Sequence, residues 1–306
     1  MLTRKSLART AQVLCIGAAA TLAQTALAPA ASAAVLPVGC SQTALVNAIN
    51  TANSTPGSDT LNLAPSCPYS LTAALPPITS QIVVNGNGAL ITRANTGPSD
   101  PKFRIITVNG GNLTLRALSI AHGDAAGNPI APGAGGGIVV TGNGTLNANA
   151  VVIRNNEADF GGGVSNFKGS TTTINASVVS NNHANNNGGG LVSDGNLTVT
   201  ASNISSNKAD VAGGGIANIG QLTVRASNIR SNEANTGGGL ANGVPNAPGG
   251  TSTISISNIS NNTAHGTNPG GISNDHGTVN LTLSTVINNT PNNCATSPTP
   301  VPGCFN

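Results

Sequence analysis

The sequence repeats itself with a period near 25 residues. Seven segments align without internal gaps, and their last residues are separated by 33, 26, 25, 25, 30 and 27 positions; they are residues 113–120, 146–153, 172–179, 197–204, 222–229, 252–259 and 279–286. Apolar residues alternate within a segment, as Leu222, Val224 and Ala226 do, which is the period of a half-buried strand. Repetition at this spacing predicts a solenoid in which each repeat forms one coil.

Two further blocks recur between these strands. A glycine run precedes an aliphatic residue at 135–138, 161–164, 188–191, 213–216, 237–240 and 270–272. A single asparagine column follows the strands, at Asn156, Asn182, Asn207, Asn232, Asn262 and Asn289. Glycine and asparagine tolerate the positive φ of tight corners. Because an amide both donates and accepts hydrogen bonds, a buried asparagine column can bond along its own stack. We therefore predict about eight to ten coils with this column inside.

Composition agrees with such a fold. The chain is 38% hydrophobic and only 7% charged, whereas disordered chains are rich in charge and poor in apolar residues. Its 39 glycines and its scarcity of strong helix formers argue against helical bundles, coiled coils and an α/β enzyme fold.

The first 33 residues have the pattern of a signal peptide. Basic residues precede an apolar run at 11–28, and Ala31-Ser32-Ala33 is a small-residue cleavage site. The alternative is a membrane anchor, but Gln12 and Gln24 interrupt the run. No later apolar stretch approaches the roughly 18–20 residues of a membrane span. We expect a secreted, extracellular protein that is cleaved near Ala33 and has no membrane span.

Cleavage also changes the charge of the chain. The full sequence has 12 basic and 9 acidic residues, and the leader holds three of the basic ones, at Arg4, Lys5 and Arg9. The mature chain therefore carries nine of each. Nucleic-acid binding needs a basic stripe that neutralises phosphates, so this balance excludes that class of function.

Four cysteines remain after the leader and its Cys15 are removed, and they allow three pairings. Pairing between neighbours, Cys40 with Cys67 and Cys294 with Cys304, is the preferred prediction. A metal site built from all four is the alternative, although the sequence has no C-x-x-C spacing.

These features divide the chain into four parts. The signal peptide covers residues 1–33 and an N-terminal cap covers 34–75, with a short amphipathic helix predicted over 41–53. The solenoid spans 76–293, and a disulfide-closed tail covers 294–306.

The repeat unit GGG[ILV]xN…LTVxASNIxxNxA resembles secreted right-handed parallel β-helix proteins of the pectate-lyase-like superfamily. It is most similar to repeats with GGxI and FxxN signatures, known from chlamydial polymorphic membrane proteins and many actinobacterial exported proteins. The resemblance covers about residues 113–293. It implies an all-β, right-handed parallel β-helix with a short N-terminal capping helix. It says little about function, because such relatives include polysaccharide lyases, hydrolases and adhesins.

The few charges concentrate in two columns that follow the asparagine column. One reads Glu157, His183, Lys208, Glu233 and Thr263; the other reads Asp159, Asn185, Asp210, Asn235 and His265. Stacking places these side chains on one corner of consecutive coils. Such a corner can be a solvated, charge-alternating surface or a functional site, and both readings stay open.

If the corner is functional, the resemblance implies a uronate lyase acting on extracellular acidic polysaccharide by β-elimination. Glu157, Asp159 and Asp210 would then hold Ca²⁺, which prefers several oxygen ligands. His183 and Lys208 are the candidate bases, and His183 is the better one because Glu233 should keep Lys208 protonated. Substrate contacts are predicted for Lys168, Arg154 and Glu233.

The competing function is a non-catalytic, monomeric surface protein, either an adhesin or a structural component of the cell envelope. No sequence motif decides between the two.

Overall fold

We describe the chain from a computed structural model that covers residues 33–94, 97, 99–125 and 129–306. Residues 1–32, which include Cys15 and all but the last residue of the predicted signal peptide, lie outside the described residues. The described part contains one helix, Gln42–Ser54, and four β-sheets built from short strands.

Sheets 1 and 2 are parallel and run along most of the solenoid. Sheet 1 has ten strands in the described residues, at Val35–Val38, Ser58–Leu63, Gln81–Asn85, Asn112–Arg116, Thr145–Asn149, Thr171–Asn175, Asn196–Thr200, Gln221–Arg225, Thr251–Ser255 and Thr278–Thr282. Sheet 2 follows it in each coil, at Pro68–Leu71, Leu90–Arg93, Ser119–Ala121, Val152–Arg154, Val178–Ser180, Asn203–Ser205, Asn228–Arg230, Asn258–Ser260 and Thr285–Ile287.

Sheets 3 and 4 complete each coil. Sheet 3 is short and parallel, with strands Glu157–Phe160, His183–Asn187, Lys208–Ala209, Glu233–Ala234 and Thr263–Ala264. Sheet 4 contains Ile106–Asn109, Ile138–Thr141, Val164–Asn166, Leu191–Ser193, Ile216–Asn218, Leu240–Val244, Ala247–Pro248 and Ile272–Asn274. Its pairs are parallel except for Leu240–Val244 with Ala247–Pro248. The predicted parallel β-helix is thereby confirmed, with about ten coils along sheet 1.

The register brings equivalent residues of successive repeats into direct contact. Leu146 pairs with Leu113 of the preceding coil and with Thr172 of the following one. Inward positions of each strand are buried and form columns of Leu, Ile and Val, whereas the alternate positions face outward. The alternation read from the sequence therefore defines the hydrophobic core of the solenoid.

The predicted asparagine column is buried and forms a continuous hydrogen-bonded ladder. Each Nδ2 donates to Oδ1 of the next asparagine at 2.9–3.0 Å, from Asn156 through Asn289. Each Oδ1 also accepts the backbone N–H of the preceding asparagine. At the end of the ladder, Asn289 donates to Oδ1 of Asn293, the last residue before the tail, at 2.9 Å. Asn293 thus takes the place that the asparagine of a further coil would fill.

A second ladder, of serines, lies between sheets 1 and 2. The backbone N–H of Ser177 donates to Oγ of Ser202 at 3.0 Å, and the same bond joins Ser202 to Ser227 and Ser227 to Ser257. These serines are buried. Because the hydroxyls accept N–H groups at a corner where the strands are interrupted, they stabilise the bend.

Two corner columns use non-glycine residues with positive φ. The column between sheets 1 and 2 contains Ala150, Ala176, Ala201, Ala226, Ile256 and Leu283, with φ of 48–54°. The column between sheets 2 and 3 contains Asn155, Asn181, Ser206, Ser231, Asn261 and Asn288. We expected glycine and asparagine at such corners. The structure also places alanine, serine, isoleucine and leucine there.

The N-terminal end of the solenoid is covered by the helix Gln42–Ser54. Ser41 caps the helix by accepting the backbone N–H of Ala44, and Leu45, Ala48, Ile49 and Ala52 are its buried residues. The predicted start at residue 41 is thus one residue early, because Ser41 is the N-cap. The Cys40–Cys67 disulfide ties the start of the helix to the first coils, with 5.7 Å between its Cα atoms.

The C-terminal tail lies against the last coil. Val301 and Cys294 are buried, and the tail is closed by a second disulfide, Cys294–Cys304, with 6.5 Å between its Cα atoms. Both predicted pairings are present, and the four-cysteine metal site is not formed. Within the described residues, we find no helix long and apolar enough to cross a membrane.

Candidate functional site

The predicted charged corner is formed by the outward residues of sheet 3. The Cα of His183 pairs with that of Glu157 on one side and with that of Lys208 on the other, and Lys208 pairs in turn with Glu233. Sheet 3 therefore brings these four side chains onto consecutive coils about 4.8 Å apart, as the sequence predicted.

The side chains of this corner contact one another in pairs. Nε2 of His183 lies 3.1 Å from Oδ1 of Asp210, and Nζ of Lys208 lies 2.9 Å from Oε1 of Glu233. Nε2 of His265 approaches the same Glu233 oxygen at 3.4 Å. The two candidate bases, His183 and Lys208, are thus each in contact with a carboxylate.

The Lys208–Glu233 contact shifts both pKa values. Its hydrogen bond and charge interaction raise the pKa of Lys208 and lower the pKa of Glu233. Lys208 therefore stays protonated at neutral pH, which confirms the sequence-based expectation and makes it unsuited to accept a proton.

The three proposed calcium ligands do not converge on one point. Glu157 and Asp159 belong to one coil, whereas Asp210 lies two coils further along, a distance of about 10 Å. Asp159 accepts a hydrogen bond from Nδ2 of Asn185, and Asp210 contacts His183. In the described part of the chain, no three His, Cys, Asp or Glu side chains are placed to hold a metal ion.

The remaining predicted contacts are not at this corner. Arg154 ends a strand of sheet 2, three residues before Glu157, and its Cα pairs with those of Ala121 and Ser180. Lys168 is exposed in the loop between sheets 4 and 1 and follows Phe167 directly. The two cations therefore lie on opposite sides of the sheet 3 corner along the coil.

A groove runs beside this corner over the outer face of sheet 4. It encloses about 320 Å³ and is lined by Pro132, Ala134, Phe160, Ser165, Asn166, Phe167, Val192, Asp194 and Ile219. Phe160 and Phe167 are 42% and 37% exposed, although the whole chain contains only four phenylalanines. The groove therefore holds two of its few aromatic rings, with the carboxylate of Asp194 on its wall.

Gly161 follows Phe160 and lies against Val192, two residues that line this groove. Gly161 has a φ of +66°, and a Cβ atom there would lie 2.8 Å from Cγ1 of Val192. The chain between Phe160 and Val164 can therefore lie close to the floor of the groove only because residue 161 is a glycine. The outward positions of sheet 4 are correspondingly small or branched: Val139, Ser165, Val192, Ala217, Ala241 and Ser273.

Sequence reasoning did not identify this groove. The sequence signal for the groove is a small or branched outward residue that recurs in sheet 4, just after each glycine run. That pattern resembles an ordinary buried strand, because these outward positions are themselves mostly buried.

Neither a family model nor a curated protein matches this chain.

Proposed function

We propose that this chain is a secreted parallel β-helix protein that binds extracellular polysaccharide, with the groove between Phe160 and Phe167 as its glycan site. The observation that carries the proposal is the placement of two partly exposed aromatic rings on one groove. The C–H faces of a sugar ring can cover such rings, which removes apolar area from water. Asp194 and Ser165 supply a few polar groups for orientation, as in other ligand sites.

Two features support the extracellular part of the proposal. The Cys40–Cys67 and Cys294–Cys304 disulfides are compatible with an oxidising compartment. The first 33 residues have the composition of a cleavable leader.

The charge around the groove favours a neutral glycan over a polyuronate. The adjacent corner has four carboxylates, on Glu157, Asp159, Asp210 and Glu233, against one lysine. A polymer carrying a carboxylate on each sugar would be repelled there in the absence of a cation. The proposal therefore departs from the acidic substrate that the resemblance implies.

The test is affinity electrophoresis of the mature protein in gels containing neutral polysaccharides, xyloglucan and galactomannan, or pectate. We expect retardation by a neutral polymer, and at least tenfold weaker binding after Phe160→Ala or Phe167→Ala. Phe305→Ala is the matched control, because Phe305 is 81% exposed in the tail. Equal binding by all three variants, or no retardation of the parent by any polymer, would contradict the proposal.

A second candidate, β-elimination on a polyuronate, is favoured by the His183–Asp210 contact. The carboxylate accepts the Nε2–H of His183, which leaves Nδ1 of the neutral imidazole free to take a proton. Arg154 and Lys168 would then contact substrate carboxylates. Glu233 would act by holding Lys208 charged.

This candidate is tested by incubating the protein with pectate, alginate, hyaluronan and chondroitin, with and without Ca²⁺. The ultraviolet absorbance of unsaturated products reports turnover. His183→Ala should abolish it and leave the melting temperature nearly unchanged, because the side chain is partly exposed. An inactive parent would leave glycan binding without catalysis, and an active His183→Ala variant would exclude His183 as the base.

A further inference from the structure

Arg93 is a buried cation without a carboxylate partner. Its side chain ends a strand of sheet 2, and the residue is only 9% exposed. Nε donates to the carbonyl oxygen of His122 at 2.9 Å, and Nη1 donates to that of Pro101 at 3.1 Å. Buried charges are normally paired, because desolvation of an unpaired ion is costly. Arg93 therefore has an unmet requirement for an anion.

No acidic residue of the chain meets this requirement. All nine acidic residues lie in the described part, and the segments outside it contain none. Their ion pairs join Asp124 to Lys102, Asp210 to His183, Glu233 to Lys208 and His265, and Asp275 to His276. Neither Arg93 nor Arg154 takes part in any of them.

Arg154 and His122 lie beside Arg93 on the two following coils. The Cα of Arg154 pairs with that of Ala121, which is fully buried and directly precedes His122. Burial and the charges of Arg154 and Arg93 lower the pKa of His122, so both guanidinium groups act on the ring. Strand register places Arg93, His122 and Arg154 on three successive coils, at the end of the sheet 2 strands.

Thr92 contacts the ring of His122. Oγ1 of Thr92 lies 3.1 Å from Nδ1 of His122 and 3.2 Å from the carbonyl oxygen of Arg93. This contact engages Nδ1 and leaves Nε2 without a hydrogen-bond partner in the described residues. A protonated Nε2 would be a third donor to an anion held by the two arginines.

We propose that Arg93, His122 and Arg154 form a binding site for an oxyanion, the sulfate or carboxylate group of a small ion or of a glycan. Guanidinium groups suit such ligands because their planar donors match paired oxygens. A cavity of about 80 Å³ borders Arg93 next to Thr72 and Pro101, so protein atoms do not fill all the space around this side chain. Water occupies about 30 Å³ in the liquid, so the cavity exceeds the room that one water needs.

Among the described residues, Asp124 is a further charged group close to His122, two positions along the chain. Asp124 lies 3.1 Å from Lys102, and its Cα pairs with that of Glu157. A bound oxyanion would offset the two arginines, so protonation of His122 should become easier. Anion binding and the pKa of His122 are therefore linked, which gives a readout that needs no enzymatic activity.

The experiment titrates the mature protein with sodium sulfate while sodium chloride keeps the ionic strength constant. The pKa of His122 is followed by NMR, and the melting temperature is recorded in parallel. We expect saturable binding, with a rise in both quantities. Arg154→Gln should weaken binding at least tenfold, and His122→Asn, which tolerates the local positive φ, should weaken it severalfold.

Arg230→Gln is the matched control, since Arg230 occupies the same sheet 2 column as Arg154, three coils away. It should bind sulfate like the parent. The proposal is overturned if sulfate acts no differently from chloride, or if Arg230→Gln loses binding as Arg154→Gln does. Parallel titrations with glucuronate and with a sulfated disaccharide separate a carboxylate from a sulfate, and a free ion from a glycan substituent.

The oxyanion-site proposal and the glycan-groove proposal can be contradicted independently of each other. The oxyanion site lies on sheet 2 and its corner, whereas the phenylalanines lie at the edges of sheet 4. Loss of glycan retardation in Phe160→Ala would leave the sulfate titration unchanged.

Discussion

Nε2 of His183 lies 3.1 Å from Oδ1 of Asp210, although the residue stacked directly on His183 in the next coil is Lys208. The contact is therefore diagonal and reaches two residues further along the neighbouring strand. Lys208 turns the other way, toward Glu233. This arrangement gives His183 and Lys208 a carboxylate each, so both side chains already have a partner before any ligand arrives.

The asparagine ladder should be the most sensitive part of the core. Asn207 accepts two hydrogen bonds from Asn182 and donates to Asn232 and to the carbonyl oxygen of Val179. Asn207→Leu leaves several buried groups unpaired, each costing about 1–3 kcal/mol. We expect a loss of about 3 kcal/mol or more in the free energy of unfolding, measured by urea denaturation. Asn196→Leu, at an exposed position of sheet 1, should change it by less than about 1 kcal/mol.

Leu283 should be replaceable with a gain in stability. It is 85% exposed and has a φ of 48°, a conformation that costs most residues about 1–2 kcal/mol and that asparagine tolerates. Leu283→Asn should therefore raise the free energy of unfolding by about 1 kcal/mol. The same change at Leu281, which packs partly against the core, should lower it. A destabilised Leu283→Asn protein would show that its backbone is not strained in solution.

The Lys208–Glu233 contact predicts a measurable change in titration with little change in stability. Glu233→Gln removes the charge that raises the pKa of Lys208, so this pKa should fall toward its ordinary value in a ¹³C-NMR titration. Asp210→Asn, which removes the weaker charge interaction, should lower it less. An unchanged Lys208 pKa in Glu233→Gln would mean that the two side chains are not in contact.

The same pair has a defined pH window. A raised lysine pKa contributes stability that is lost as pH rises through the folded-state value, and a lowered glutamate pKa contributes stability that is lost as pH falls through its own. The contribution should therefore be largest between the two values. Both side chains are about half exposed, so it should stay below about 1 kcal/mol.

The Cys40–Cys67 disulfide should stabilise the N-terminal cap. It links residues 27 apart, which corresponds to about 3 kcal/mol of lost chain entropy in the unfolded state. Replacing both cysteines by serine should speed hydrogen exchange in Gln42–Ser54 and lower the free energy of unfolding by a similar amount. In the matching double variant, Cys294 and Cys304 are both replaced by serine. Their disulfide closes a shorter loop in the C-terminal tail, so hydrogen exchange in the helix should be unchanged.

The strands and the asparagine ladder could be predicted because their chemistry repeats at a fixed interval. An amide that recurs at Asn156, Asn182 and Asn207 can donate to and accept from its own copy in the next coil, which is what a buried ladder requires. The serine ladder was not predicted, although Ser177, Ser202 and Ser227 recur just as regularly. Serine is common on surfaces, and its burial follows from the corner geometry, which the alternation pattern does not encode.

The site was predicted less completely for a related reason. Register placed His183 next to Glu157 and Lys208 correctly, but the choice of Asp210 as its contact depends on rotamers. The sequence could not show that Arg93 has no carboxylate partner, because this depends on where all nine acidic residues lie. The spacing of two residues in the sequence shows whether they share a column. It does not show whether a charged side chain finds a partner of opposite charge.

The ladder ends on Asn293, the last residue before the tail, so the residues that follow the last repeat close the stack in place of a further coil. The solenoid is thus modular in length. Duplicating one complete unit of about 25 residues in the middle of the stack should give a longer molecule with the same two ends. Its stability should grow by one coil interface, and a natural lineage of such proteins can lengthen or shorten by whole repeats while both ends are kept.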